Sequence, residues 1–188
     1  MTTSADITNR ALAQIAAQAV VTGLVPNLTG GGQASVAANI LYGSVVQMIL
    51  REQDWEFSRL TAPLSITANT PAYPWTYEYL YPTDCLKVRQ VQPSTWVAGD
   101  PQPVRWEVAD HPVGGAPTRV ILCNLANAQL VYTTSNVTEN QWDSLFAEAV
   151  VRTLGSELAL ALGGRPDLSR VKLGEAGSIM QSGSGRDS

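Results

Sequence analysis

The chain has little charge. Charged residues make up 15% of its 188 positions while hydrophobic residues reach 45%, so the charged share falls well below the usual quarter. Either subunit contacts cover part of so weakly charged an exterior, or a large monomer core absorbs the apolar residues; composition leaves both open. Cations are scarce as well, with 12 Lys and Arg against 16 Asp and Glu, a net charge of −4 and no basic run. Tight nucleic-acid binding needs clustered cations, so it is not expected. An acidic wall beside a polyanion suits a conduit better than a clamp.

Histidine occurs once, as His111 between Asp110 and Pro112. Any Ser–His–Asp or Cys–His arrangement would have to use it, and no GxSxG surrounds a serine. One histidine beside Glu107 and Asp110 falls short of a metal-ligand set. No catalytic residue, metal or cofactor is therefore expected. The two cysteines, Cys85 and Cys123, fit no CxxC spacing and read as buried thiols. The N-terminus has no signal-peptide core, and no stretch approaches the roughly 18 apolar residues of a membrane span, so neither secretion by that route nor a membrane is expected. GGGQAS before the second helix lacks the lysine and preceding strand of a phosphate loop, and reads as a hinge between helices.

What is present is periodic. Ile7, Ala11, Ile15 and Ala19 recur every four residues, predicting a helix over residues 4–21 with Thr3 and Asp6 as a capping box. After Pro26 and three glycines, Val36, Ala37, Ile40, Leu41, Val45, Met48, Ile49 and Glu52 mark one side of a second helix over residues 33–53. Trp55 and Phe57 then stand two apart, a strand-like spacing interleaved with Glu52, Asp54 and Glu56, which read as a solvated edge. Short apolar or alternating runs follow at residues 73–79, 86–91, 103–108, 118–123 and 128–134, separated by the connections NTPAYP, VAGDPQP and HPVGGAP. They predict five or six antiparallel strands. A Thr138/Gln141 capping box opens a long amphipathic helix that ends at Gly163, and residues 167–180 form a shorter one before a flexible tail.

The fold class expected is α+β: a bundle of two N-terminal and one or two C-terminal helices, residues 1–57 and 136–181, with a β module inserted at 58–135 and a tail at 182–188. Neither helix pair can bury its apolar stripe alone.

Trp75, Tyr77, Tyr79 and Tyr81 alternate, so all four can share a strand face. Such a face can stack on sugar rings, although packing against a neighbouring layer is the reading that aromatic burial favours. A carbohydrate-binding or carbohydrate-cleaving tail component is the alternative this stripe supports. Cleavage would draw its two carboxylates from Glu78, Asp84, Glu107 and Asp110.

In order along the chain, ITNRALAQIA, YGSVVQMILREQDWEFSRL, YLYPTDCLKVRQV and WDSLFAEAVVRTLGSELALAL resemble the tail tubular protein A family of short-tailed bacteriophages, over about residues 5–162. Trp55 and Phe57 match that family's exit from the second helix; Pro82, Asp84, Cys85 and Leu86 match its strand entry. Ala16 and Ala17 stand where the family carries a glycine, and the glycine-rich connector is long. The resemblance implies a structural head-to-tail adaptor of the virion, not an enzyme, assembled in the host cytoplasm. It implies a homo-oligomeric ring of twelve that docks beneath the portal protein, receives the tail nozzle protein and leaves a channel for double-stranded DNA, without sequence-specific binding. Trp55 and Phe57 would then be the helix-to-sheet joint. Leu168, Val171, Leu173, Ile179 and Met180, on a short amphipathic segment expected to order on docking, are the portal-docking candidates.

Overall fold

The computed structural model describes residues 2–95, 104–163 and 166–184. The protein is α+β, with four α-helices and six strands in two antiparallel sheets among the described residues. It divides into a helical unit, residues 1–53 with 137–188, and a β unit, residues 54–136. The division falls after Gln53 and after Asn136, so Trp55 and Phe57 belong to the β unit rather than to the bundle as expected.

In the helical unit, α1 (Ser4–Gln14), α2 (Gln33–Glu52) and α4 (Pro166–Ser184) each pack on α3 (Ser144–Gly163). Phe146, Ala149, Val150, Val151, Thr153, Leu154, Ser156, Leu158 and Ala159 of α3 are all buried, and they cover every direction around its axis. A helix apolar all round is a core helix, and three neighbours are what enclose it. Gly155 of α3 admits α1 closely: a Cβ there would lie 3.4 Å from the Ala11 carbonyl oxygen. The Thr138/Gln141 box forms as expected, but it closes a 3-10 turn at Glu139–Gln141, and α3 begins only at Ser144.

The first helix is shorter than its apolar period. α1 stops at Gln14 because Ala16 adopts φ +54°, and the Ala17 N–H donates to the Leu12 carbonyl while the Ala16 N–H donates to Ala13. This is the helix stop that glycine usually makes, built here on alanine. The connector of residues 15–32 is pinned, not a hinge. Asn9 of α1 bonds both backbone groups of Val21, at 2.8 and 2.9 Å, and Asn39 of α2 does the same at Leu28, at 2.9 and 3.1 Å. Thr22 and Thr29 pair between these clamps, and Gly30 carries φ +79° where a Cβ would meet the Val20 carbonyl at 2.8 Å.

α2 corrects two expectations. By length and composition it is apolar enough to cross a membrane, with mean hydropathy 1.3 over its best window, because its serines, asparagine and glutamines dilute the apolar run without adding charge. Its buried face is also turned from the one the periodicity selects, sharing only Val45 and Ile49 with it. Ala34, Ala38, Tyr42, Val45 and Ile49 are buried, whereas Val36, Ile40 and Met48 are exposed.

The β unit is two three-stranded sheets, β1 (Arg59–Pro63), β6 (Ala128–Thr134) and β3 (Cys85–Pro93) in that spatial order, and β2 (Tyr77–Leu80), β5 (Ala116–Cys123) and β4 (Trp106–Val113). Cys85, Val91, Leu130 and Tyr132 from the first sheet pack with Tyr79, Ile121 and Cys123 from the second. Both thiols are thus core, and burial pushes both up in pKa. HPVGGAP is not a loop: β4 runs through His111 and Pro112 and turns tightly at Gly114–Gly115. Pro112 is tolerated because β4 is an edge strand. The predicted connection VAGDPQP lies outside the described residues.

Alanine at φ +54° carries strain of about 1–2 kcal/mol that glycine does not. Glycine loses about 0.4–1 kcal/mol of this through its freer unfolded chain. Ala16→Gly is therefore expected to stabilise the protein by about 0.5–1 kcal/mol in urea unfolding, and Ala16→Val to destabilise it; the reverse order would contradict this account of the helix stop.

Candidate functional site

Phe57 lies in a 3-10 turn at Glu56–Ser58 that leads into β1, and Trp55 is the extended residue that caps it; neither is on a strand. Their two-residue spacing is real, but the backbone between them is coiled. Trp55 is buried, and its ring tilts against Phe57 with centroids 6.2 Å apart. The Trp55 carbonyl accepts from the Ser58 N–H at 3.1 Å, from Ser58 Oγ at 2.8 Å and from Arg89 Nη2 at 2.7 Å. Arg89, on β3, also donates to Thr133 Oγ1 at 3.0 Å and Ser58 Oγ at 3.3 Å, with only 8% of its side chain exposed.

A guanidinium so enclosed needs oxygen around it, since a buried charge without partners is costly. The interleaved acids supply it. Asp54 lies 3.7 Å and Glu56 3.9 Å from Arg89; Asp54 also pairs with Lys87 at 2.9 Å and Glu56 with Arg59 at 3.5 Å. Burial pulls the Arg89 pKa down, and the two carboxylates oppose that. Asp54 and Glu56 are therefore counter-charges, not simply the solvated edge expected.

Asp84, in the strand-entry motif, is a second fastening. Its carboxylate accepts from Thr134 Oγ1 at 2.7 Å and the Tyr132 hydroxyl at 3.1 Å, and its carbonyl accepts from the Ser135 N–H at 2.8 Å. Burial, then the Asp84 charge, push the Tyr132 phenol up to about 12.

Glu78 and His111, read as weak catalytic or metal candidates, do meet. His111 Nδ1 lies 2.6 Å from one Glu78 oxygen, while Thr67 Oγ1 and Asn69 Nδ2 each donate to the other at 2.8 Å. Glu78 is 1% exposed. Burial pulls its pKa up, but the hydrogen bonds from His111, Thr67 and Asn69 outweigh burial and hold it below the ordinary glutamate value. Asn69 also donates to the Pro112 carbonyl at 2.9 Å, so the carboxylate knits the segment before β2 to the β4–β5 hairpin. A carboxylate enclosed by three donors has no path to a sugar, and Glu107 and Asp110 are exposed on an edge strand. Among the described residues no three His, Cys, Asp or Glu side chains group as metal ligands.

The aromatic stripe is packed. Tyr79 is buried and its hydroxyl donates to the Leu125 carbonyl at 2.7 Å; Tyr77 packs on the core; Arg105 lies over Trp75 and Arg119 over Tyr81.

The five α4 candidates separate. Val171 and Leu173 are exposed, Ile179 and Met180 are half-buried, and the side chain of Leu168 lies outside the described residues. α4 is a formed helix seated on α3, not a segment awaiting a partner: Ala176 and Ser169 are buried, Ser156 Oγ donates to the Ser169 carbonyl at 3.0 Å, and Arg152 pairs with Glu175. The Gln53 side chain donates to the Met180 carbonyl. α4 extends to Ser184, so three residues of the expected tail are helical, and 185–188 lie outside the described residues. The outer arc of α2, part of which the periodicity assigns to the packed side, is open: Ser44, Gln47, Met48, Arg51 and Glu52 line a groove of about 560 Å³.

Compared with known proteins, the chain matches no family model, and no curated protein is significantly similar to it.

Arg89→Met is expected to lower stability by about 2 kcal/mol in urea unfolding, by removing the hydrogen bonds that join the Trp55 carbonyl and the Ser58 and Thr133 hydroxyls. Arg89→Lys is expected to recover only part of this, because Arg89 reaches Thr133 through Nε and the Trp55 carbonyl through Nη2, and a single ammonium nitrogen cannot occupy both places. The Glu78 pKa is lowered on folding, so its contribution is present above the unfolded-state value and is lost as pH falls through the folded one. Glu78→Gln should therefore destabilise at neutral pH and lose less than the parent on acidification. Equal acid losses in the two proteins would refute the role given to Glu78.

Proposed function

We propose that the protein is a structural head-to-tail adaptor subunit of a phage virion. Copies of it form a ring beneath the portal, join it to the tail nozzle and leave a channel for DNA. The observation that carries this reading is how the residues of the resemblance are used. Asn9 clamps the connector, Arg10 pairs with Glu148 at 2.6 Å, Ala11 and Leu12 are buried, Trp55 takes the Arg89 lock and Asp84 ties β3 to β6. Motif residues that fasten a scaffold fit a building block better than an enzyme.

The net charge of −4 suits a channel wall that DNA slides past. Within α4, Leu173 is the docking residue for the portal. Val171, two positions away, points to another side of the helix and is available for a different contact. The packed aromatic stripe weighs against the carbohydrate alternative.

Negative-stain electron microscopy of the purified protein with its portal tests the reading. Rings seated on the portal with an open centre are expected, and a 20.1 kDa monomer even with portal present would end it. Leu173→Asp is expected to keep the fold and weaken portal attachment at least tenfold, as a buried unpaired carboxylate would. Unchanged attachment would remove Leu173 from the docking surface.

A further inference from the structure

The outer arc of α2 is unusual for a surface helix. Gln33, Val36, Ile40, Gly43, Ser44 and Gln47 share it, so it carries no charge until Arg51. Val36 is 61% and Ile40 72% exposed, where a solvated helix face is ordinarily polar. Gly43 sits in the middle of the arc. A glycine there costs about 1 kcal/mol against alanine, yet a Cβ would meet nothing within 4 Å. Nothing in this copy requires the glycine.

α4 carries a matching arc. Val171, Gly174 and Ser178 are exposed, and Gly174 likewise has nothing within 4 Å of a Cβ. At its start stands Asp167, exposed, with no ion pair among the described residues; the same holds for Arg51 at the end of the α2 arc. Each arc lies opposite the face its helix packs on α3, so the two arcs present different surfaces of one unit.

We infer that the α2 arc of one copy packs antiparallel on the α4 arc of a second copy, with Gly43 against Gly174 and Arg51 opposite Asp167. The register follows from helix rise. Arg51 lies eight residues from Gly43 and Asp167 seven from Gly174, about 12 and about 10.5 Å along the axes. The same alignment sets Ile40 over Gly177 and Ser178, a large side chain into a small-residue hollow. Two glycines at the crossing allow the helices to approach closely, which gives Gly43 its reason. Because the two arcs differ, the contact is heterologous: each copy keeps one arc open for the next, as a ring needs and a two-fold dimer does not.

A single helix pair of this length buries on the order of 400 Å² per copy, about half of what a stable binary complex uses. One contact alone therefore holds weakly, and repeated use around a closed ring makes it sufficient. The inference rests on the ring reading for closure, but the contact itself is tested separately.

A full-length Arg51→Cys/Asp167→Cys variant, oxidised at increasing concentration, reads the contact directly, since the native thiols are buried. The expected result on a non-reducing gel is a ladder of dimer, trimer and longer species, because each copy offers one of each cysteine. Dimers alone, or no cross-linked species, overturn the inference. By sedimentation, Arg51→Asp and Asp167→Arg are each expected to weaken self-association about tenfold, and the two together to restore it; failure of the pair to restore it also overturns the contact. A ladder without rings on the portal leaves this surface standing and removes the ring reading. Rings without a ladder do the opposite.

Discussion

A guanidinium with 8% of its side chain exposed sets the arrangement of the β unit around it. Arg89 reaches the turn before β1 through the Trp55 carbonyl and the Ser58 hydroxyl, and reaches β6 through Thr133. It can do so only because Asp54 and Glu56 bring negative charge to the same place. The demand is mutual: the turn needs the arginine to hold it, and the arginine needs the turn's acids to be buried at all. Glu78 poses the same problem with the opposite sign, and His111, Thr67 and Asn69 solve it. In a chain with few charges, the buried ones act as fasteners.

Much of this architecture is legible in the amino-acid order. The helix–helix–strands–helix–helix succession follows from periods of 3.6 and 2, and the Thr3 and Thr138 boxes form where the pattern puts them. Turn chemistry was the weaker guide. Ala16 in a left-handed conformation has no local signature, so α1 reads too long; a GG pair inside HPVGGAP reads as a loop although it closes a hairpin. The Trp55–Phe57 spacing mimics a strand because a 3-10 turn can also set two aromatics apart at that interval.

The functional reading fares differently from the fold. Periodicity cannot orient α2, because a helix with Ala, Val, Ile, Leu and Met on most sides has two apolar faces, and only packing decides that Ala38 and Tyr42 go inward while Ile40 goes outward. Pairings such as Arg89 with Asp54, or Glu78 with His111, join residues 35 and 33 positions apart, beyond the reach of any local pattern. The candidate site was legible as a set of residue types, but not as a set of partners.

The helical unit is made from two stretches of chain with 83 residues between them. On a ribosome, α1 and α2 emerge long before α3, the helix against which they bury their faces, has been synthesised. The β unit has all its strands by Thr134 and can close first, as domains do during synthesis. Until α3 is made, Ala38, Tyr42, Val45 and Ile49 of α2 stay as uncovered as its outer face, so the nascent amino-terminal segment carries apolar surface on both sides for most of synthesis.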